Sequence, residues 1–273
     1  MDKNLVAIVI PLSNRPDLTE SEKISLKHLE YYLSGYDTYF LAPMDLEFSY
    51  KDYPVCRIDN IFFGSLEAHN HLLFSGELYK RFSDYKYILL YHLDSLVFKD
   101  SIEKWCSMDF DYIAPPWIKG PDLPWLEENG VGNGGFSLRK VDAFSRLLNS
   151  KAKWITKNDI IPNNSNANLL RTFSGIAKNT TRYLIPGLNS IDQHIKTIVN
   201  SLNEDRFLWK YAKKYYPEFK IAPVDLALEF AFESNVELCY EMNDKEIPFG
   251  CHAWERYNKE FWEPHLLNSE FKK

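Results

Sequence analysis

The chain has 273 residues, 45% hydrophobic and 26% charged, with 11 Gly and 14 Pro, which is enough to bury a large core and excludes a disordered, collagenous or coiled-coil chain. Net charge is −6 and the pI near 5.7, a balance that argues against a nucleic-acid partner. No apolar run approaches the roughly 18 residues of a membrane span, and Cys56, Cys106, Cys239 and Cys251 form no CxxC pair, so a reducing, cytoplasmic setting is expected.

Residues 5–10 are a continuous apolar run ending at Pro11. The run is too short for a signal peptide and has no small-residue cleavage site, so it reads as a buried strand followed by the loop Pro11-Leu-Ser-Asn-Arg15. Thr19 with Glu22 makes a capping box, Leu26, Leu29 and Leu33 share one helical face, and Gly35 is the expected stop. Residues 39–42 form a second short strand, so strand, helix and strand open a parallel α/β sheet. Residues 65–82 read as one helix, and 87–91 as the strongest strand of the chain. His92-Leu-Asp94 follows it, at the strand edge where open α/β sheets bind ligands.

A short helix is expected over 101–106, then a strand at 112–114 stopped by Pro115-Pro116-Trp117, a glycine-rich turn entering a strand over 131–138, and a helix over 141–148. The stretch 151–190 holds seven Asn and six Lys or Arg against the single acid Asp159. Without a clean period it reads as an insertion or mobile loop region with local positive charge. Helices at 191–202 and 207–215 flank Asn203-Glu-Asp205. A short strand at 221–222, a helix at 225–233 and a turn at 249–254 complete the reading. Most of the 42 aromatics must be core, although flat faces with polar edges also suit sugars.

Four places can carry chemistry. Asp94, at the end of a buried strand, can hold a hard divalent cation or simply cap its turn. His92 points the same way in extended chain. Gly132, Gly134 and Gly135 let backbone N–H groups approach a ligand, or form a plain hairpin; their spacing is neither a dinucleotide fingerprint nor a P-loop. Glu204-Asp205 can cap a helix or supply a general base whose pKa a neighbouring carboxylate raises. His252 can ligate a metal or be a hydrogen-bonded structural residue, and Trp254 can be a platform for a sugar ring. His69 and His71 fall on opposite sides of their helix, cannot share a metal there, and are set aside.

Taken together, Tyr87-Ile-Leu-Leu-Tyr-His-Leu-Asp-Ser-Leu-Val-Phe98, Phe110-Asp-Tyr-Ile-Ala-Pro-Pro-Trp117, Val131-Gly-Asn-Gly-Gly-Phe-Ser-Leu-Arg139, Asn203-Glu-Asp205 and Pro248-Phe-Gly-Cys-His-Ala-Trp254 resemble an uncharacterised-domain family of bacterial and fungal proteins grouped with GT-A glycosyltransferases. The resemblance spans the chain from about Leu5 to Trp254. It implies one α/β domain of GT-A fold, with a mostly parallel sheet, a nucleotide-binding half and an acceptor half. It also implies inverting transfer of a sugar from a nucleotide-sugar donor to a hydroxyl of a carbohydrate or lipid-linked acceptor, in polysaccharide or glycoconjugate synthesis.

By that resemblance Asp94 and His252 hold Mn²⁺ or Mg²⁺, and Asp205, or Glu204 in its stead, is the base. Pro11, Ser13, Arg15, His92, Asn133, Gly134 and Gly135 meet the donor, while Trp117 and Trp254 position sugars. His92 stands where the family pattern has the first Asp of an Asp-x-Asp motif, which bears on the identity of the metal. The basic 151–190 segment would close over the donor or meet a phospholipid-linked acceptor at the inner membrane surface. The rival classes are a metal-dependent hydrolase using His92, Asp94 and His252, and a carbohydrate-binding protein without catalysis.

Overall fold

The computed structural model describes residues 4–48, 53–161, 169–198 and 202–267. In chain order the strands are β1 (Asn4–Pro11), β2 (Asp37–Pro43), β3 (Val55–Ile58), β4 (Tyr85–Tyr91), β5 (Leu96–Val97), β6 (Tyr112–Ile113), β7 (Pro116–Trp117), β8 (Gly130–Val131), β9 (Phe136–Lys140), β10 (Ala231–Phe232) and β11 (Gly250–Cys251). The helices are α1 (Glu20–Leu33), α2 (Leu66–Leu73), α3 (Gly76–Arg81), α4 (Ile102–Ser107), α5 (Val141–Leu148), α6 (Leu169–Leu184), α7 (Ile191–Ile198), α8 (Glu204–Tyr215), α9 (Val224–Phe230), α10 (Val236–Met242) and α11 (Lys259–Trp262).

The main sheet runs β3-β2-β1-β4-β9-β6, parallel from β3 to β4 and antiparallel where β9 enters. The expected α/β fold with a mostly parallel central sheet is therefore what the chain adopts. β1 and β4 lie at its middle, in register from Asn4↔Tyr85 to Val9↔Leu90. Residues 7–10 and 88–91 are fully buried, because helices cover both faces of a parallel sheet and leave no polar side. Each such Val, Ile or Leu contributes about 1.5–3 kcal/mol of burial. The Thr19–Glu22 capping box forms as expected and starts α1.

Three expectations change. The helix expected over 65–82 is two, because the chain leaves α2 at Phe74 and restarts at Gly76 after Ser75, which gives no side-chain cap. Residues 221–222 give only an isolated bridge, Tyr112↔Ile221. The described residues of the 151–190 stretch include the 16-residue α6, while 162–168 lie outside them. The stretch is pinned by Asn189, whose side chain accepts from Ile155 N and donates to Ile155 O, and by Trp154 stacked on His194 at 4.5 Å. Among the described residues no helix is long and apolar enough to cross a membrane.

A second, three-stranded sheet matters most for the site. β10 runs parallel to β11, and β11 antiparallel to β5, with Cys251 opposite Leu96. The exits of β10 and β11 and the entry of β5 therefore share one edge. That edge places Glu233, His252 and Asp94 together, and Trp254 N donating to Asp94 O at 3.1 Å fastens it.

Candidate active site

β4 delivers His92 and Asp94 at the carboxyl end of the main sheet, and the small sheet brings His252 to meet them. One ligating atom from each of the three lies within 4.8 Å of the others. His252 Nε2 is 3.3 Å from Asp94 Oδ1, and its Nδ1 is 3.1 Å from Glu233 Oε2. Burial alone would discharge the His252 ring, but the Glu233 and Asp94 carboxylates outweigh it and hold its pKa well above the usual range. Asp94 is pulled the other way: against partial burial, the His252 charge keeps its carboxyl well below the ordinary carboxylate range.

His69 joins this corner from α2. Its Nε2 lies 3.1 Å from that of His92, so one ring donates and the other accepts. Burial, reinforced by the neighbouring cations, takes His69 down to about 4 and His92 well below its usual value, so both are neutral at pH 7. His71 points elsewhere, 3.9 Å from Glu67. The pair shares nothing, as the helical spacing implies, yet His69 belongs to the corner. Reading the two histidines only as a pair hid it. Glu233 was missed because its segment reads as the end of a helix, whereas α9 stops at Phe230.

The glycine turn between β8 and β9 links this corner to α8. Gly135 O accepts from His92 N at 2.8 Å, and a Cβ on Gly135 would fall 2.1 Å from His252 Nε2. Only a residue without a side chain lets His252 lie on the turn. Asn133, in left-handed backbone at φ 67°, donates its N–H to Asp205 Oδ2 at 2.9 Å. It also accepts from Trp117 Nε1 at 2.9 Å. Burial raises the Asp205 carboxyl above its ordinary value, and its bonds from Arg206 N and Asn133 N pull it partly back.

The two adjacent carboxylates have different partners. Glu204, 1% exposed, faces the fully buried Arg139 with contacts of 2.8 and 3.3 Å, and Asn70 Oδ1 accepts from its backbone N. Tyr79, Tyr112 and Phe144 enclose the guanidinium. Glu204 is thus an internal counter-ion, and the expectation that it could replace Asp205 as base does not fit its surroundings.

A cleft of about 430 Å³ opens beside His69, His92 and Asp94 and is lined by Pro11, Ser13 and Arg15. The loop after β1 therefore borders the corner. Arg15 donates to Glu22 of α1 at 2.6 Å and to Ser13 of the loop at 3.1 Å. Trp254 does not fit its expected role: it is 1% exposed, packed into the core around Trp262 and Phe232, and has no free face for a sugar. Trp117 is buried too, over Gly132, but its edge lines a separate groove with Trp125 and Trp209.

Residues 52–252 match the family described as "protein of unknown function (DUF5672)", and the chain belongs to that family. No curated protein matches the sequence. Among solved structures, one similar chain is a glycosyltransferase involved in the glycosylation of the major capsid of PBCV-1, with a TM-score of 0.48, 12% identity, and 96% of this chain and 98% of that one covered. Another is the galactosyltransferase LgtC in complex with donor and acceptor sugar analogs, with a TM-score of 0.47, 12% identity, and 96% of each chain covered. Both TM-scores fall below 0.5, too weak a likeness to carry activity, donor or acceptor across to this chain.

Proposed function

We propose that the protein is a GT-A-type glycosyltransferase that moves a sugar from a nucleotide-sugar donor to an acceptor hydroxyl with inversion. The observation that carries this reading is the meeting of a cation-binding corner and a partly buried base on one glycine turn, at the carboxyl edge of a parallel sheet. A diphosphate donor needs its departing charge neutralised, and the acceptor needs its proton removed.

The donor set fits a metal. Both ring nitrogens of His252 and Oε2 of Glu233 are buried within ion-pair distance without aligned hydrogen bonds. Two imidazoles and one carboxylate are softer than the all-oxygen shell of Mg²⁺, so Mn²⁺ suits them better. Asp94 and His252 would hold the ion, with His92 alongside, and when bound it would act as a Lewis acid on the leaving diphosphate.

The protein's own groups then divide the remaining work. The 11–15 loop and the corner hold the donor in the cleft, and the backbone of the turn at Gly134 and Gly135 meets the sugar. Asp205, its Oδ2 fixed by Asn133 and its pKa raised by burial, takes the proton of the attacking hydroxyl. Attack from the side opposite the diphosphate inverts the anomeric carbon. The nucleotide half is formed by β1 to β4 and the acceptor half by the region around α8.

Thermal unfolding with each nucleoside diphosphate, with and without Mn²⁺, tests the reading, since a ligand bound only by the folded state raises the melting point. One diphosphate should stabilise the protein only when Mn²⁺ is present, and a chelator should abolish the gain. No stabilisation by any diphosphate, with or without metal, overturns it. A metal-dependent hydrolase would draw on the same three ligands, but it would consume substrate at the same rate whether or not an acceptor hydroxyl is supplied.

A further inference from the structure

A groove of about 520 Å³, within the range that takes a small ligand, runs along α8, and no histidine lines it. Trp117, Trp125 and Trp209 wall it, together with Glu127, Glu128, Arg206 and Lys210. The backbone is shaped around two of the indoles. A Cβ on Gly130 would strike Trp209 at 2.8 Å, and one on Gly132 would strike Trp117 at 2.0 Å. Trp117 and Trp209 meet edge to face at 5.9 Å and 89°. Trp125 stands 52% exposed, with the Arg206 guanidinium 3.9 Å from its ring centre. A large aromatic left half in water and held by a cation is unusual, because burying it would be favourable.

The groove is tied to the base. Asp205 and Trp209 are four residues apart on α8 and so share one helix face, roughly 5–6 Å apart at Cβ. Trp117 donates to the side chain of Asn133, whose backbone N–H donates to Asp205. A ligand resting on these indoles therefore lies within one helical turn of the carboxylate assigned as base.

From this arrangement we infer that the tryptophan groove is the acceptor site and that it takes a neutral oligosaccharide; the inference rests on the transferase reading above. Two acids and two bases in the lining leave no net charge to select a phosphate or a lipid-linked pyrophosphate. They supply both acceptors and donors for hydroxyl groups. Indoles set at right angles form a corner rather than a slot, which suits a puckered ring with C–H groups on more than one side better than a flat base. The alternating apolar faces and hydroxyl edges of a sugar match indole faces beside charged tips.

Binding of cellotetraose, maltotetraose, β-linked galactobiose and chitotetraose to the full chain, followed by saturation-transfer NMR without donor, tests the groove. At least one should bind, weaken at least tenfold in Trp125→Ala and recover to within about threefold in Trp125→Phe, with both variants unfolding at the wild-type temperature. Absence of binding by all four, or binding indifferent to Trp125→Ala, overturns the assignment. So does association with anionic phospholipid vesicles that depends on Trp125 while the sugars do not bind. The outcomes separate the two proposals: diphosphate stabilisation without sugar binding sinks the groove alone, and sugar binding without any diphosphate effect sinks the transferase.

Discussion

Two clefts connect to the glycine turn, one through His92 and the other through Trp117, and they are built from opposite materials. On one side the walls are titratable: two histidines that burial keeps neutral, and a third set between two carboxylates. On the other the walls are indoles, with charges that cancel. The first can stabilise charge that appears during a reaction. The second can only orient a ligand, because aromatic faces add contact area without changing charge. Asp205 is bonded to the same turn, accepting from Asn133 N. On the proposed transferase reading, bond breaking belongs to the histidine side and acceptor positioning to the tryptophan side.

The sharpest way to break this division is at its hinge. Asp205→Asn should lower turnover about 10²–10⁴-fold, the range for loss of a general base, as read by product formation at saturating substrates. The wild-type rate should fall as pH drops, because the base works only when deprotonated. Its acid limb should lie above the usual aspartate value of about 3.9, since burial raises this carboxyl.

The neighbouring carboxylate should respond in stability instead. Glu204→Gln leaves Arg139 buried without its counter-charge, a loss of about 3–5 kcal/mol, measurable by denaturant unfolding. If Glu204→Gln left stability intact and abolished only turnover, the roles of the pair would be reversed.

Gly135→Ala probes the histidine side alone. Its Cβ would intrude on His252, at about 1–3 kcal/mol of overpacking, and the rise in melting temperature caused by Mn²⁺ should vanish. Retention of that rise would mean that His252 is not a ligand. The smallest effect is expected on the other side, where Trp125→Ala should move unfolding by less than about 0.5 kcal/mol, as for other exposed positions. A larger loss by calorimetry would show that the indole is structural.

What was legible in the sequence follows from which interactions are local. The capping box, the apolar run of β1 and the strand leading to Asp94 are patterns within a few residues, and each forms as expected. The turn at 132–135 was visible as glycines, but its reason was not: the clashing atoms belong to Trp117 and His252, distant in sequence. Trp254 looked like a platform because it neighbours His252, yet packing against Trp262 and Phe232 decides its exposure. The same holds for Glu204 and Asp205, alike and adjacent in sequence, which the phase of α8 sends to different partners. His69 was visible only as half of a pair and Glu233 not at all, because each acts through contacts made across the fold.

The strands that close the histidine corner are only two residues long. Hydrogen bonding that brief cannot keep them aligned on its own, so the corner borrows its rigidity from the tryptophan-rich pack beneath, around Trp254 and Trp262. Loosening that layer would dissolve the histidine corner while the large sheet stayed folded. The corner would then be lost by local melting well before the chain denatured, and loss of the proposed activity on warming would precede the main unfolding transition.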